Sequence, residues 1–184
     1  MNITLNSISF SPGEGDGVNL YRVSRAVVDG NVFSENLYAV NVTNSDNVRV
    51  TNNQAVANDT IGVQLRESVQ CLVFNNSFVG GEDGVDILES SFCNGVTRNL
   101  IRGMKYDGIA LSPDSSTTGP SQFPQNNTVN ENVFQRNHIG INLQNATQNT
   151  FYHNDFYQSG YRHVNPVQKT ATYSVIVAPN MWDK

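Results

Sequence analysis

Apolar and polar residues alternate along this chain in short phrases that return at nearly constant spacing. Aligned on a small residue, Gly17-Val-Asn-Leu, Ala39-Val-Asn-Val, Gly62-Val-Gln-Leu, Gly84-Val-Asp-Ile, Gly108-Ile-Ala-Leu and Gly140-Ile-Asn-Leu are versions of one tetrapeptide. They follow one another at steps of 22, 23, 22, 24 and 32 residues. One place after the anchor stand Val18, Val40, Val63, Val85, Ile109 and Ile141, and three places after it Leu20, Val42, Leu65, Ile87, Leu111 and Leu143. Between them lie Asn19, Asn41, Gln64, Asp86, Ala110 and Asn142. Apolar, polar, apolar is the period of a strand with one buried face. Six such strands with the same inward residues predict a parallel, in-register stack with a spacing of about 4.8 Å.

Two further elements complete each repeat. Nine residues after the anchor come Ala26, Val48, Cys71 and Cys93, followed two places on by Val28, Val50 and Val73. Then come Phe33, Phe78, Phe134 and Phe156, each two residues after an asparagine: Asn31, Asn76, Asn132 and Asn154. Such an asparagine column at a coil corner can bond its own turn or the asparagine above, and asparagine tolerates left-handed backbone. Three short strands per coil with no helical stretch predict an all-β, single-stranded parallel β-helix of about six to seven coils. It is expected to be right-handed, as parallel crossovers usually are. A leucine-rich repeat would need a leucine scaffold and a helical return arm, and an antiparallel sandwich would not keep columns aligned. Cys71 and Cys93 are expected as stacked, buried neighbours in one inward column, where a disulfide would be geometrically awkward.

The repeat divides the chain into the end of an upstream coil at 1–16, the parallel β-helix at 17–160 and a partial coil and cap at 161–184. Ile3 to Phe10 matches Ala26 to Phe33, so the chain begins in mid-rung. A further β-helix or a cap is therefore expected upstream, since an open solenoid end leaves backbone unpaired. The fifth coil is longer because of Pro113 to Pro124, a Pro/Ser/Thr/Gly cluster read as a protruding loop. Insertions in solenoids map to one face, often the binding face.

Composition narrows the function. The 184 residues suit one domain, and 38% hydrophobic content suits a thin core. A net charge of −5 argues against nucleic acid as a partner. No run is long enough to span a membrane, and no signal peptide stands at the start.

Candidate chemistry sits where the outward columns depart from the repeat. Asp83 and Asp107 precede their anchors in adjacent coils, with Asp16 lower in the same column, and Asp86 replaces the usual amide. Glu82, Glu89 and Asp114 lie close in register, Arg66 stands one rung below Leu88, and His138 lies one rung above Asp107. Carboxylates stacked at a rung spacing repel, which raises at least one pKa and can supply a general acid. They could equally hold Ca²⁺ through several oxygens. The plainer alternatives are that Asp-Gly pairs are good turn formers and that Asp86 is a solvated strand residue. For His138 the plainer reading is a surface corner. Tyr106, with Tyr21, Tyr38 and Tyr161, could stack on sugars. No arrangement of His, Cys and Met has transition-metal spacing.

The repeat Asn132-Val-Phe-Gln-Arg-Asn-His-Ile-Gly-Ile-Asn-Leu143 resembles that of the pectin-lyase-like superfamily, and the likeness covers nearly the whole chain. That resemblance implies a right-handed parallel β-helix shared by polysaccharide lyases, polygalacturonase-type hydrolases, alginate C5-epimerases and periplasmic relatives of nitrous-oxide reductase maturation. Glu82-Asp83-Gly84-Val85-Asp86 is similar to the first polygalacturonase motif. Tyr106-Asp107-Gly108 is similar to the second with one aspartate lost, and Asn137-His138-Ile139 is an imperfect version of the third. Gly84-Val-Asp86-Ile-Leu88-Glu89 resembles the epimerase motif, with leucine where that family has its catalytic histidine.

These readings lead to a secreted or cell-surface protein that binds an extracellular polysaccharide along its flank; if it is an enzyme, it acts on that polymer as a lyase, hydrolase or epimerase. Asp83, Asp86, Asp107 and His138 are its acid/base candidates. Arg66, which would neutralise a sugar carboxylate, joins Glu89, Asp114 and Tyr106 as binding candidates. The alternatives are a non-catalytic structural or carbohydrate-binding module of a larger exported protein and, third, a copper-handling periplasmic scaffold.

Overall fold

A computed structural model describes residues 1–9, 15–113, 122–158, 162–167 and 177–178. The recurring phrase forms one sheet of seven parallel strands: Val18–Tyr21, Tyr38–Thr43, Ile61–Arg66, Asp83–Leu88, Asp107–Ser112, Ile139–Gln144 and Arg162–Val167. Two sheets of three-residue strands close each coil. One runs from Asn2–Thr4 through Val27–Asp29 and Leu72–Phe74 to Val177–Ala178, the other from Ser7–Ser9 through Val32–Ser34 and Ser77–Val79 to Asp155–Tyr157. Every strand pairs in parallel with its equivalent one coil away, and the described residues include no α-helix. The chain is a parallel β-helix, and the sequence register holds: Val85 pairs with Val63 and Ile109, Ile87 with Leu65 and Leu111.

The core is a set of vertical apolar columns. Val63, Val85, Ile109 and Ile141 are fully buried, as are Leu65, Ile87 and Leu111. Facing them stand Val28, Val73, Val96 and Val129, and the column Phe33, Ala55, Phe78, Ile101, Phe134 and Phe156. Each of these valine, leucine, isoleucine and phenylalanine side chains contributes about 1.5–3 kcal/mol on burial. The Phe134 and Phe156 rings stack with centroids 4.8 Å apart. This column explains the anchor. A Cβ on Gly62 would lie 2.5 Å from the Phe78 ring, and one on Gly108 would lie 2.6 Å from Phe134. Where the column holds the small Ala55, the anchor is Ala39.

The corners carry polar ladders. Asn6, Asn31, Asn53, Asn76, Asn99, Asn132 and Asn154 are joined in series by amide-to-amide bonds of 3.0 Å, each Nδ2 donating to the Oδ1 of the next. The same Oδ1 accepts the preceding asparagine's backbone N–H, so one side chain satisfies two donors. A shorter ladder runs through Asn94, Asn127 and Asn149, and a serine ladder through Ser45, Ser68 and Ser91. The left-handed residue at these corners is not the ladder asparagine but its predecessor. It is Leu5, Gly30, Asn52, Asn75, Arg98, Glu131 or His153 before the long ladder. The predecessor turns the chain, and its successor can then point inward.

Two registers differ from the sequence expectation. Cys93 is exposed and left-handed, while Asn94 takes the inward place beside Cys71 and accepts the Cys71 N–H. The cause is a tight turn at Glu89–Ser90, closed by a Ser91 N–H to Leu88 O bond, which adds one residue to that coil. At the N-terminus Ile3 pairs with Val28 and Ile8 with Phe33, two residues off the expected match. Asn6 sets that register by joining the foot of the asparagine ladder. Phe10, Asp114 and most of the Pro113 to Pro124 loop lie outside the described residues.

Candidate functional site

The long-strand sheet places successive acids within reach of one another because equivalent positions stack. Asp83 and Asp107 each precede an anchor glycine and sit on adjacent coils, where Asp83 Oδ1 accepts the Asp107 backbone N–H at 2.6 Å. Asp86 lies three residues on, between Gln64 below and Ala110 above. It is not a solvated strand residue: it is 7% exposed, and its Oδ1 has no hydrogen-bond partner among the described residues. Asp107 is likewise buried, and Asn142 donates to its Oδ2 at 2.8 Å.

Burial in this small volume disfavours charge. It pushes the Asp83 carboxyl up to about 6, with the Asp107 and Glu82 charges adding to the rise and the Asp107 N–H opposing it. Asp86 is held well above the usual carboxylate range by burial, then by the charges of Asp83 and Asp107. Asp107 is also raised by burial, against the pull of the Asn142 bond and the His138 charge. The group can therefore hold protons near neutrality, which is what proton transfer requires.

The flanking residues fall into two ion pairs and a rim. Arg66 pairs with the buried Glu89 at 3.1 Å, so its charge is already committed to a carboxylate of this chain. Lys105 reaches Glu82 at 2.9 Å and lies 4.6 Å from the centroid of the exposed Tyr106 ring. His138 is exposed on the coil above, where its charge reaches Asp107. Tyr38 belongs to the same column as Asp83, and burial, then the Asp16 and Asp86 charges, raise its phenol. Of the sequence candidates, the structure thus gathers Asp83, Asp86 and Asp107, with His138 and Tyr106 at the edge and Arg66 and Glu89 paired alongside.

Sequence reasoning missed Lys105 and Asn142 as neighbours of this group. Asn142 was visible in principle, since it shares the column of Asp86 two coils up. Lys105 carried no signal of its own, because only the coil stacking brings it over Glu82.

Among the described residues, no group of three His, Cys, Asp or Glu side chains is placed to hold a metal ion. Cys71 is buried, and desolvation pushes its thiol up to about 11, away from the thiolate a soft metal needs. Cys93 faces solvent at a neighbouring corner. His153 packs edge-on against Tyr152 in another corner column, apart from His138.

The family model described as "Periplasmic copper-binding protein (NosD)" matches residues 2–177. No curated relative matches by sequence. Among solved structures, the periplasmic alginate epimerase AlgG superposes with a TM-score of 0.68 at 17% identity, covering 92% of this chain. The chain spans about half of that protein (48%). The surface protein and adhesin PfbA of Streptococcus pneumoniae gives 0.54 at 11% identity, covering all of this chain and 67% of its own. An alginate lyase from Paenibacillus sp. str. FPU-7 gives 0.51 at 14% identity over 87% of this chain and 80% of its own. These likenesses concern the fold.

Proposed function

The chain belongs to the NosD family, described as periplasmic copper-binding, and with that as premise we propose an exported β-helix that binds polysaccharide on its long-strand sheet and acts on it by proton transfer. Asp86 carries this reading. In a column where five of seven coils hold a neutral amide, it alone is an acid, buried with one oxygen lacking a partner among the described residues. An acid in that place costs stability, and perturbed buried acids cluster at functional sites.

The roles follow from the surroundings. Asp86, held well above the ordinary carboxylate range by burial, keeps its proton and serves as the acid, while Asp83, raised to about 6, exchanges its proton near neutrality. Asp107, with the Asn142 N–H on one oxygen and His138 nearby, is best placed to carry negative charge and act as base. A protonated and an ionised carboxyl on adjacent coils can give a proton to one sugar oxygen and take another from carbon or water. Tyr106 offers an exposed ring for a sugar to stack upon. A groove along a solenoid suits a repeating ligand. The described residues do not fit the copper of the family description, so every step is assigned to carboxylates.

The test is release of reducing ends or unsaturated products from a panel of uronans, neutral glycans and amino-sugar glycans. Wild-type protein is expected to turn over at least one of them, and Asp86→Asn and Asp107→Asn to lose about 100-fold or more. No turnover on any glycan, with binding unchanged in both variants, would leave a non-catalytic module of a larger exported protein.

A further inference from the structure

The polysaccharide reading leaves open which sugar the acidic face accepts, and the charges around it narrow the choice. Building on that reading, we propose that the glycan carries protonated primary amines, as a glucosamine polymer does, and that Glu82 and Tyr106 receive one amine where the chain's own Lys105 sits.

Lys105 shows what the rim recognises. Its ammonium rests 2.9 Å from Glu82 Oε1 and 4.6 Å from the Tyr106 ring centroid, a carboxylate and an aromatic face converging on one cation. Both side chains of that ion pair are substantially exposed, at 60% and 35%. Exposed pairs of this kind are weak, so a ligand ammonium can exchange with Lys105. Next to Glu82 lies Asp83, whose charge reaches Asp86, and the buried Asp86 Oδ1 has no donor among the described residues. An ammonium brings three N–H donors to this acceptor-rich site.

A uronate brings the opposite. Its carboxylates would meet Glu82, Asp83 and Asp107, while Arg66 is held by Glu89, Lys105 by Glu82, and the His138 charge already faces Asp107. An N-acetylated sugar lacks the charge that the rim selects.

Calorimetric titration of the full chain, at a pH where the amines are protonated and in physiological salt, compares hexamers of glucosamine, N-acetylglucosamine and galacturonate. The glucosamine hexamer is expected to bind about tenfold or more tighter than either other hexamer. Glu82→Gln and Asp83→Asn should each weaken it about threefold or more, and Lys105→Ala should tighten it. Asp29→Asn, on a different sheet, should leave it unchanged. Equal or tighter binding of the acetylated or uronate hexamer overturns the amine assignment while leaving the polysaccharide reading intact. An equal loss in Asp29→Asn would mark bulk charge attraction and overturn it as well. No binding of any hexamer, with no turnover on the wider panel, removes both readings.

Discussion

Asp86 illustrates how one residue can stand against the fold that holds it. Asn19, Asn41, Gln64 and Asn142 occupy its column with neutral amides, which need no counter-charge when covered. A carboxyl there is pushed above its unfolded value by burial and by two neighbouring aspartates. A raised folded pKa means that the group's contribution is fully present below the unfolded pKa and is lost as pH rises through the folded one. Asp86→Asn should therefore stabilise the protein at pH 8 by about 1–3 kcal/mol. That corresponds to a rise of about 2–12 °C in Tm for a chain of this size. Below about pH 4 the difference should vanish, because the wild-type carboxyl is then protonated in both states. Thermal melts at the two pH values check this, and a variant less stable than wild type at pH 8 would contradict the account of the site.

At the level of the element, the corners matter as much as the strands. Most strands of three residues bury a single side chain, as Leu72–Phe74 does with Val73. The turns between them must therefore be fixed independently. The buried asparagine ladder does this. Asn76 accepts from Asn53 N and Nδ2 at 2.9 and 3.0 Å, and donates to Val50 O and Asn99 Oδ1 at 2.9 and 3.0 Å. Asn76→Ala removes all four bonds and leaves the buried Asn53 N–H without its acceptor, and should cost about 3 kcal/mol, read as a fall in urea midpoint. Asn75, its exposed left-handed neighbour, bonds Asn52 in water at 2.8 Å. Asn75→Gly should change stability by less than about 0.5 kcal/mol, since glycine adopts that backbone freely. A similar loss in both variants would mean that the ladder is decorative.

For the whole molecule, stability should vary along the stack. Each interior coil is paired above and below, whereas Asn2–Thr4 and Ser7–Ser9 are paired on one side only, within the described residues. In a solenoid each coil is held mainly by its neighbours. Native-state hydrogen exchange should find the amides of Ile61–Arg66, Asp83–Leu88 and Asp107–Ser112 protected about 100-fold or more beyond those of the first two strands. Uniform protection would indicate that the molecule opens as one unit. The acidic site lies on these central coils, where a group of costly charges is best supported.

The parallel coil, its apolar columns and the pairing of Val85 with Ile109 could be read from residue order, because a period that repeats six times constrains every rung at once. The same reasoning put Asp83, Asp86 and Asp107 on neighbouring rungs. Residue order did not reveal the turn at Glu89–Ser90 that turns Cys93 outward, or the two-residue shift set by Asn6. Each depends on a single inserted residue or hydrogen bond, and periodicity averages over such events. It also could not show that Asp86 is covered, that Glu89 takes up Arg66, or that Lys105 lies over Tyr106. Burial and charge pairing arise between coils, from side chains about 22 residues apart that meet only when the chain is wound.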